Sequence, residues 1–185
     1  MVDREAAARA IEAFLRALGR DPERHPEFAG TGDRVASAWA DELLAGYAID
    51  VDALVAPNVF PGTTELVVVR SIPVTTMCPH HLLPSSGEAT VAFAPNEYLI
   101  GVGTVAAVVD AFARRLAMQE SLGDHVAATL QKHLAPRWVA CRVVLTHACM
   151  TARGERAHGA RVETLALHGG EVDVEEVQAA LGAPG

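Results

Sequence analysis

Hydrophobic positions along the chain follow two regimes, one of helical period and one of strand period. Over residues 3–18, Ala7, Ile11, Phe14, Leu15 and Leu18 recur at helical spacing on one face, and Gly19 offers a stop. Asp21-Pro22 then opens a loop that runs to Gly32. A second helix is expected from Asp33, a capping residue, with Val35, Trp39 and Leu43 spaced four apart and Gly46 at its end. Residues 48–63 hold Pro57, Pro61 and Gly62 with little periodicity and read as a short helix plus a connection.

From Glu65 the pattern becomes strand-like. Leu66–Val74 is short and β-branched, and Pro73 within it indicates an edge or a bulge. Glu88–Ala94 reads as a second strand, antiparallel to the first across a tight turn at Pro84–Gly87. Helical spacing returns over 104–118, where Val105, Val108, Val109, Phe112 and Leu116 share a face behind a possible Thr104 cap. Ser121-Leu122-Gly123-Asp124 resembles a capping box for a further helix with Leu122, Val126, Leu130 and Leu134 on one stripe, leaving Gln119 and Glu120 at the junction. Trp138–Leu145 and Arg161–Leu167 complete the strands, and a short acidic helix is expected after Gly169-Gly170. The order β-β-α-α-β-β predicts an α+β domain, an antiparallel sheet covered on one face by helices. The expected division is a helical extension over 1–63, a core domain over 64–170 and a tail over 171–185.

Composition narrows the function. Half of the 185 residues are hydrophobic, enough for one domain with a substantial core and against disorder. Neither a bilayer-spanning apolar run nor a signal-peptide pattern stands out, so a cytoplasmic location is expected. A net charge of −8 argues against nucleic acid as a partner. Lys132 is the only lysine, so an anion site must rest on arginines and backbone amides. Three cysteines cannot all pair within one chain, and in a reducing compartment they read as metal ligands or core thiols.

The densest chemistry is Met77-Cys78-Pro79-His80-His81-Leu82-Leu83-Pro84, with Thr146-His147-Ala148-Cys149-Met150 far downstream. Zinc takes thiolate and imidazole ligands tetrahedrally, and a catalytic site keeps one position open. Cys78-x-x-His81 can supply two ligands from one turn, and Cys149 is the best third. The competing reading makes Cys78 and Cys149 buried thiols and the histidine pair structural. Cys141, mid-strand in an apolar run, reads as core. His80 and His147 flank the proposed ligands and suit proton transfer, or else simply support the site. Glu120 with Gln119 can read a guanine-like edge, or both are ordinary polar residues at a helix break. Arg153 can bind an anion bidentately or lie solvated in a turn. Arg114-Arg115 reads as a solvated helix face or a subunit contact, and His25, His125, His133, His158 and His168 as surface histidines without a partner visible in the sequence.

Three motifs in order, Cys78–Pro84, Gln119-Glu120-Ser121-Leu122 and Thr146–Gly154, together resemble the GTP cyclohydrolase I family, a likeness running from about Arg34 to about Gly169 and including Arg114-Arg115-Leu116. The resemblance implies a tunnelling fold in which subunits pool their sheets into a homo-oligomeric ring, usually a decamer of two facing pentamers, with active sites at subunit interfaces. It implies Cys78, His81 and Cys149 as zinc ligands and His147 as proton donor to the purine imidazole ring, with His80 serving later proton transfers. Gln119 and Glu120 match guanine recognition, and Arg153 and Arg34 match phosphate contacts. The implied reaction is water attack at C8 of GTP, ring opening with loss of formate, and closure to 7,8-dihydroneopterin triphosphate.

Departures from that pattern are grouped. Gly103-Thr104 stands where a serine and a lysine are usual, Ala107 replaces an arginine, Ser37 a lysine, Pro79 a glutamate and Ser85 a phenylalanine. Several of the missing groups hold the triphosphate, and each charge-assisted contact is worth about 1.5–3 kcal/mol. One alternative is therefore a divergent cyclohydrolase acting on a purine base, nucleoside or monophosphate without forming a pterin. Another is a non-catalytic pterin- or purine-binding relative, which metal content would distinguish.

Overall fold

The computed structural model describes residues 2–170, 172 and 174–182. They form two compact units, divided between Ala45 and Gly46. Residues 46–63, grouped with the helical extension on sequence grounds, lie in the second unit.

In the first unit, α1 (Arg4–Ala17) starts at Asp3, whose carboxylate accepts from the Ala6 amide at 2.9 Å. Its partner α2 (Thr31–Ser37) begins two residues before the expected Asp33 and continues as a wider π turn over Ala38–Leu43. Gly32 lets the two helices touch: a Cβ there would stand 2.6 Å from the Ala8 carbonyl oxygen.

The second unit carries α3 (Val51–Val55), then β1 (Val59–Pro61), β2 (Val67–Met77), β3 (Pro84–Ala94) and β4 (Tyr98–Ile100). It continues with α4 (Val102–Ala113), α5 (Gln119–Leu134), β5 (Trp138–His147), α6 (Ala148–Thr151), β6 (Val162–Gly169) and α7 (Val174–Leu181). The main sheet is antiparallel in the order β2-β3-β5-β6, and β1 pairs with β4 in a separate ribbon. β2 is an edge strand with a register shift between Val69 and Ile72, where Ser71 takes a φ of 52°. Both the edge and the bulge anticipated from Pro73 are present.

Alternation along the strands sorts the two faces. Val74, Val91, Phe93, Val139, Cys141, Val143 and Leu145 point to one face, where the α4 stripe (Val105, Val108, Val109, Phe112) and the α5 stripe (Leu122, Val126, Leu130, Leu134) bury them. A fully buried leucine here is worth about 2–5 kcal/mol against alanine. On the other face Ala92, Ala94, Trp138 and Ala140 pack against Val177, Ala180 and Leu181 of α7. The tail helix thus covers part of that side, over β3 and β5, and leaves Leu165 and Leu167 of β6 exposed. Arg70 fastens α7 by donating to the carbonyls of Ala180 (2.6 Å) and Leu181 (2.5 Å), where the helix dipole favours a cation.

Element ends differ from the sequence reading in ways that matter for the site. Pro84–Gly87 is not the turn but the start of β3, because Met77 pairs directly with Pro84 and the hairpin loop is Cys78–Leu83. α4 ends at Ala113 rather than at 118. Leu116 instead bridges to Met77 at the end of β2, and the Thr76 hydroxyl donates to the Arg115 carbonyl at 3.2 Å. Gln119 and Glu120 accordingly form the first turn of α5, which has Met118 at its N-cap, rather than a junction before a Ser121 cap. Thr104 lies inside the first turn of α4, where Gly101 is the cap. Arg115 is not a solvated side chain: its Nε donates to the carbonyls of Gly46 (3.1 Å) and Ala111 (3.2 Å), and its guanidinium lies over Phe112. His133 and His168, expected as unpartnered, meet Asp52 (2.7 Å) and Asp124 (2.8 Å). No helix among the described residues is long and apolar enough to cross a membrane.

Gly87 is the tightest point beside the hairpin, since a Cβ there would meet the Val144 carbonyl oxygen at 2.1 Å. Gly87→Ala must push β3 and β5 apart, and such overpacking costs about 1–3 kcal/mol. Urea unfolding should show a lower midpoint with an unchanged slope; a midpoint equal to the parent's would contradict this account of the strand contact.

Candidate metal centre and active site

The hairpin loop is short and internally bonded. The Cys78 amide donates to the Leu83 carbonyl at 3.0 Å and the Leu82 amide to the Cys78 carbonyl at 2.9 Å, with Leu82 in the left-handed region at φ 53°. This curl turns Cys78 and His81 to the same side, with Sγ and Nδ1 4.0 Å apart. The third group comes from the end of β5. There the chain leaves the sheet at His147 and makes one helical turn, α6, which carries Cys149. The Thr151 hydroxyl holds that turn by donating to the His147 carbonyl at 3.2 Å.

One ligand atom from each of Cys78, His81 and Cys149 lies within 4.8 Å of the others. In a tetrahedral zinc site the bond lengths set ligand-to-ligand edges of roughly 3.6–3.8 Å. The three groups therefore need only a small contraction to hold such an ion, and two thiols with one imidazole are a donor set that suits zinc. His81 Nε2 stands 3.3 Å from Arg153 Nη1. A guanidinium only donates, so coordination through Nδ1, which places the ring proton on Nε2, would break this contact and release Arg153.

Beside the three ligand groups is a cavity of about 220 Å³, walled in part by His80, Met118, Glu120, His147 and Met150. It is smaller than the roughly 300–1,000 Å³ usual for a whole ligand, and none of its lining residues is a lysine or an arginine. Glu120 is exposed in the first turn of α5 and faces this space. His80 is exposed on the hairpin loop, its ring edge-on to that of His81 at 6.4 Å.

Gln119 behaves differently from its neighbour. It is buried, and its amide nitrogen donates to the carbonyls of Val143 (2.8 Å) and Val162 (2.9 Å) and to the Thr164 hydroxyl (3.2 Å). Its carbonyl oxygen meets His147 Nε2 at 2.7 Å. The amide expected to read a purine edge is thus committed within the subunit. Sequence reasoning also missed Ser85, a buried serine whose hydroxyl meets His147 Nδ1 at 2.9 Å. The signal was the cross-strand register, Ser85 opposite His147, which stays hidden while the hairpin turn is misplaced. Arg34 lies in α2 of the first unit and bonds the Thr31 hydroxyl at 3.1 Å.

The three cysteines separate by environment. Cys78 and Cys149 are half-buried, whereas Cys141 is enclosed and burial pushes its thiol up to about 12. In chelator-treated protein, iodoacetamide at neutral pH should modify Cys78 and Cys149 and spare Cys141, and added zinc should protect the first two. Rapid labelling of Cys141, read by peptide mass spectrometry, would contradict this environment.

Known proteins resemble this chain along most of its length. The family model for GTP cyclohydrolase I matches residues 7–181. The chain is 39% identical over 160 residues to a Leptospira biflexa protein named GTP cyclohydrolase 1, covering 86% of each chain. It is 39% identical over 168 residues to an Allorhizobium ampelinum protein of the same name (90% of this chain, 83% of that one), and 38% identical over 169 residues to one from Leifsonia xyli (90% and 87%). Among solved structures, an apo archaeosine synthase QueF-Like superposes with a TM-score of 0.50 at 20% identity, over 60% of this chain and 100% of that one, a likeness of fold.

Proposed function

The chain belongs to the GTP cyclohydrolase I family, and from that membership we propose that it opens the imidazole ring of GTP by water attack at C8, releasing formate and forming 7,8-dihydroneopterin triphosphate. The observation that carries this reading is the convergence of Cys78, His81 and Cys149 beside a cavity walled by His147 and Glu120.

In this reading Cys78, His81 and Cys149 hold a zinc ion. Zinc, when bound, supplies Lewis acidity that makes water a competent nucleophile near neutral pH. The chain's own groups do the rest. The Glu120 carboxylate accepts from the ring N1–H and the 2-amino group of guanine, which orients C8 toward the ligand cluster. As an imidazolium, His147 passes its Nε2 proton to the purine ring nitrogen as the C8–N bond is broken, exchanging its bond to Gln119 for the substrate, and His80 on the hairpin loop serves the later proton transfers. Gln119 acts from beneath, holding His147 rather than touching the base with its amide nitrogen. Arg153 and Arg34 take the phosphates. A small cavity in one subunit suits an active site completed at the boundary with a second, in a homo-oligomeric ring of two facing pentamers working in the cytoplasm.

One observation favours a second reading. No lysine or arginine walls the cavity, and uncharged Gly103, Thr104, Ala107 and Ser37 stand where the family resemblance calls for a serine and cations. A divergent member acting on a guanine-type base, nucleoside or monophosphate, and stopping at the opened ring, would have such a site.

Zinc-loaded protein should be given guanine, 8-oxoguanine, guanosine, GMP and GTP, with formate, ring-opening absorbance and pterin fluorescence followed together. The first reading expects formate and pterin from GTP; formate from a smaller purine without pterin selects the second; no formate from any of them overturns both. Cys149→Ser should lose zinc and formate release together. His147→Ala should keep its zinc and lose about 10²–10⁴ in rate, the usual worth of a positioned general acid.

A further inference from the structure

The hydrogen bonds around His147 fix more than its position. Gln119 is oriented by its own amide, because the nitrogen end faces three acceptors, the carbonyls of Val143 and Val162 and the Thr164 hydroxyl. Its other end is therefore the carbonyl oxygen, which only accepts. Since that oxygen lies 2.7 Å from His147 Nε2, the proton must be on Nε2. In the neutral ring Nδ1 is then a bare acceptor, and the group 2.9 Å away is the Ser85 hydroxyl, which donates to it. Ser85 and His147 are directly opposed on β3 and β5, so the bond follows from the sheet register rather than from a loop. Ser85 is almost fully buried at 2% exposure, which limits competition from water for its hydroxyl.

We propose that Ser85 is a positioning residue for the ring-opening reaction, holding the His147 imidazole in its Nε2–H tautomer and in a fixed plane together with Gln119. This rests on the proton-transfer role given to His147 above. The phenylalanine that the family resemblance calls for at this position could wedge the ring but could neither donate to it nor accept from it. As an imidazolium the ring carries a proton on Nδ1 as well, and the Ser85 hydroxyl then turns to accept from it, while the Nε2 proton is the one that leaves. The serine therefore adds a hydrogen bond at Nδ1 that a phenylalanine could not make.

The test reads the ring directly. In protein carrying ¹⁵N-labelled histidine, with and without zinc, the His147 signals should show one tautomer, protonated at Nε2. In Ser85→Ala, Nδ1 should move toward the value of an unbonded ring nitrogen, with zinc content unchanged. Turnover of the substrate that releases formate should fall about tenfold in kcat, the scale on which outer hydrogen-bond partners act, with KM unchanged. Ser85→Thr, which keeps the hydroxyl, should restore both the signal and the rate. An Nδ1–H tautomer in the parent protein, or a Ser85→Ala variant with an unmoved Nδ1 signal and the parent kcat, would overturn the proposal. If the parent releases no formate from any purine, the proposed reaction fails on its own, and the tautomer signals alone decide the role of Ser85.

Discussion

The site depends on the pairing register of three strands. Thr76, Ser85 and His147 form one cross-strand row at the ends of β2, β3 and β5. The hairpin loop that follows Met77 presents Cys78 and His81 at that end, and the helical turn after His147 presents Cys149. A slip of one residue would send His147 to the opposite face of the sheet and carry Cys149 away from its partners. Packing resists such a slip, because farther along β3 and β5 the residues are buried on both faces, by α4 and α5 on one side and α7 on the other. Core and site are therefore coupled: the Val91 and Phe93 layer sets where Cys149 ends up.

The connection between α4 and α5 depends on the same row. It runs extended past the end of β2, with the Thr76 hydroxyl on the Arg115 carbonyl. That delivers Gln119 and Glu120 at the start of α5 in opposite roles, one turned under the sheet to hold His147 and one left in the cavity wall. Two adjacent polar residues on one helical turn point in different directions, so a motif that reads as a pair in the sequence divides in space.

Much of this was legible in the residues. The α+β order, the edge position and bulge near Pro73, the buried state of Cys141 and the grouping of Cys78, His81 and Cys149 all follow from spacing and residue type. What was not legible is long-range in origin. The turn was placed at Pro84–Gly87 because proline and glycine usually mark turns, whereas here Pro84 opens β3 and Gly87 is small because the β5 backbone passes close by. The length of α4 was overestimated because Leu116 keeps the helical spacing, yet it pairs with Met77 instead. Ser85 stood out in the sequence only as a departure from the family pattern, since the register alone shows that it faces a histidine 62 positions away.

The central claim is that two distant cysteines and one histidine, brought together by strand register, form a single metal site. X-ray absorption at the zinc edge of the zinc-loaded protein tests it most directly. The account predicts a shell of two sulfurs at about 2.3 Å and one imidazole nitrogen at about 2.0–2.1 Å, with one light atom completing the tetrahedron. A shell of nitrogen and oxygen alone, or of a single sulfur, would contradict it.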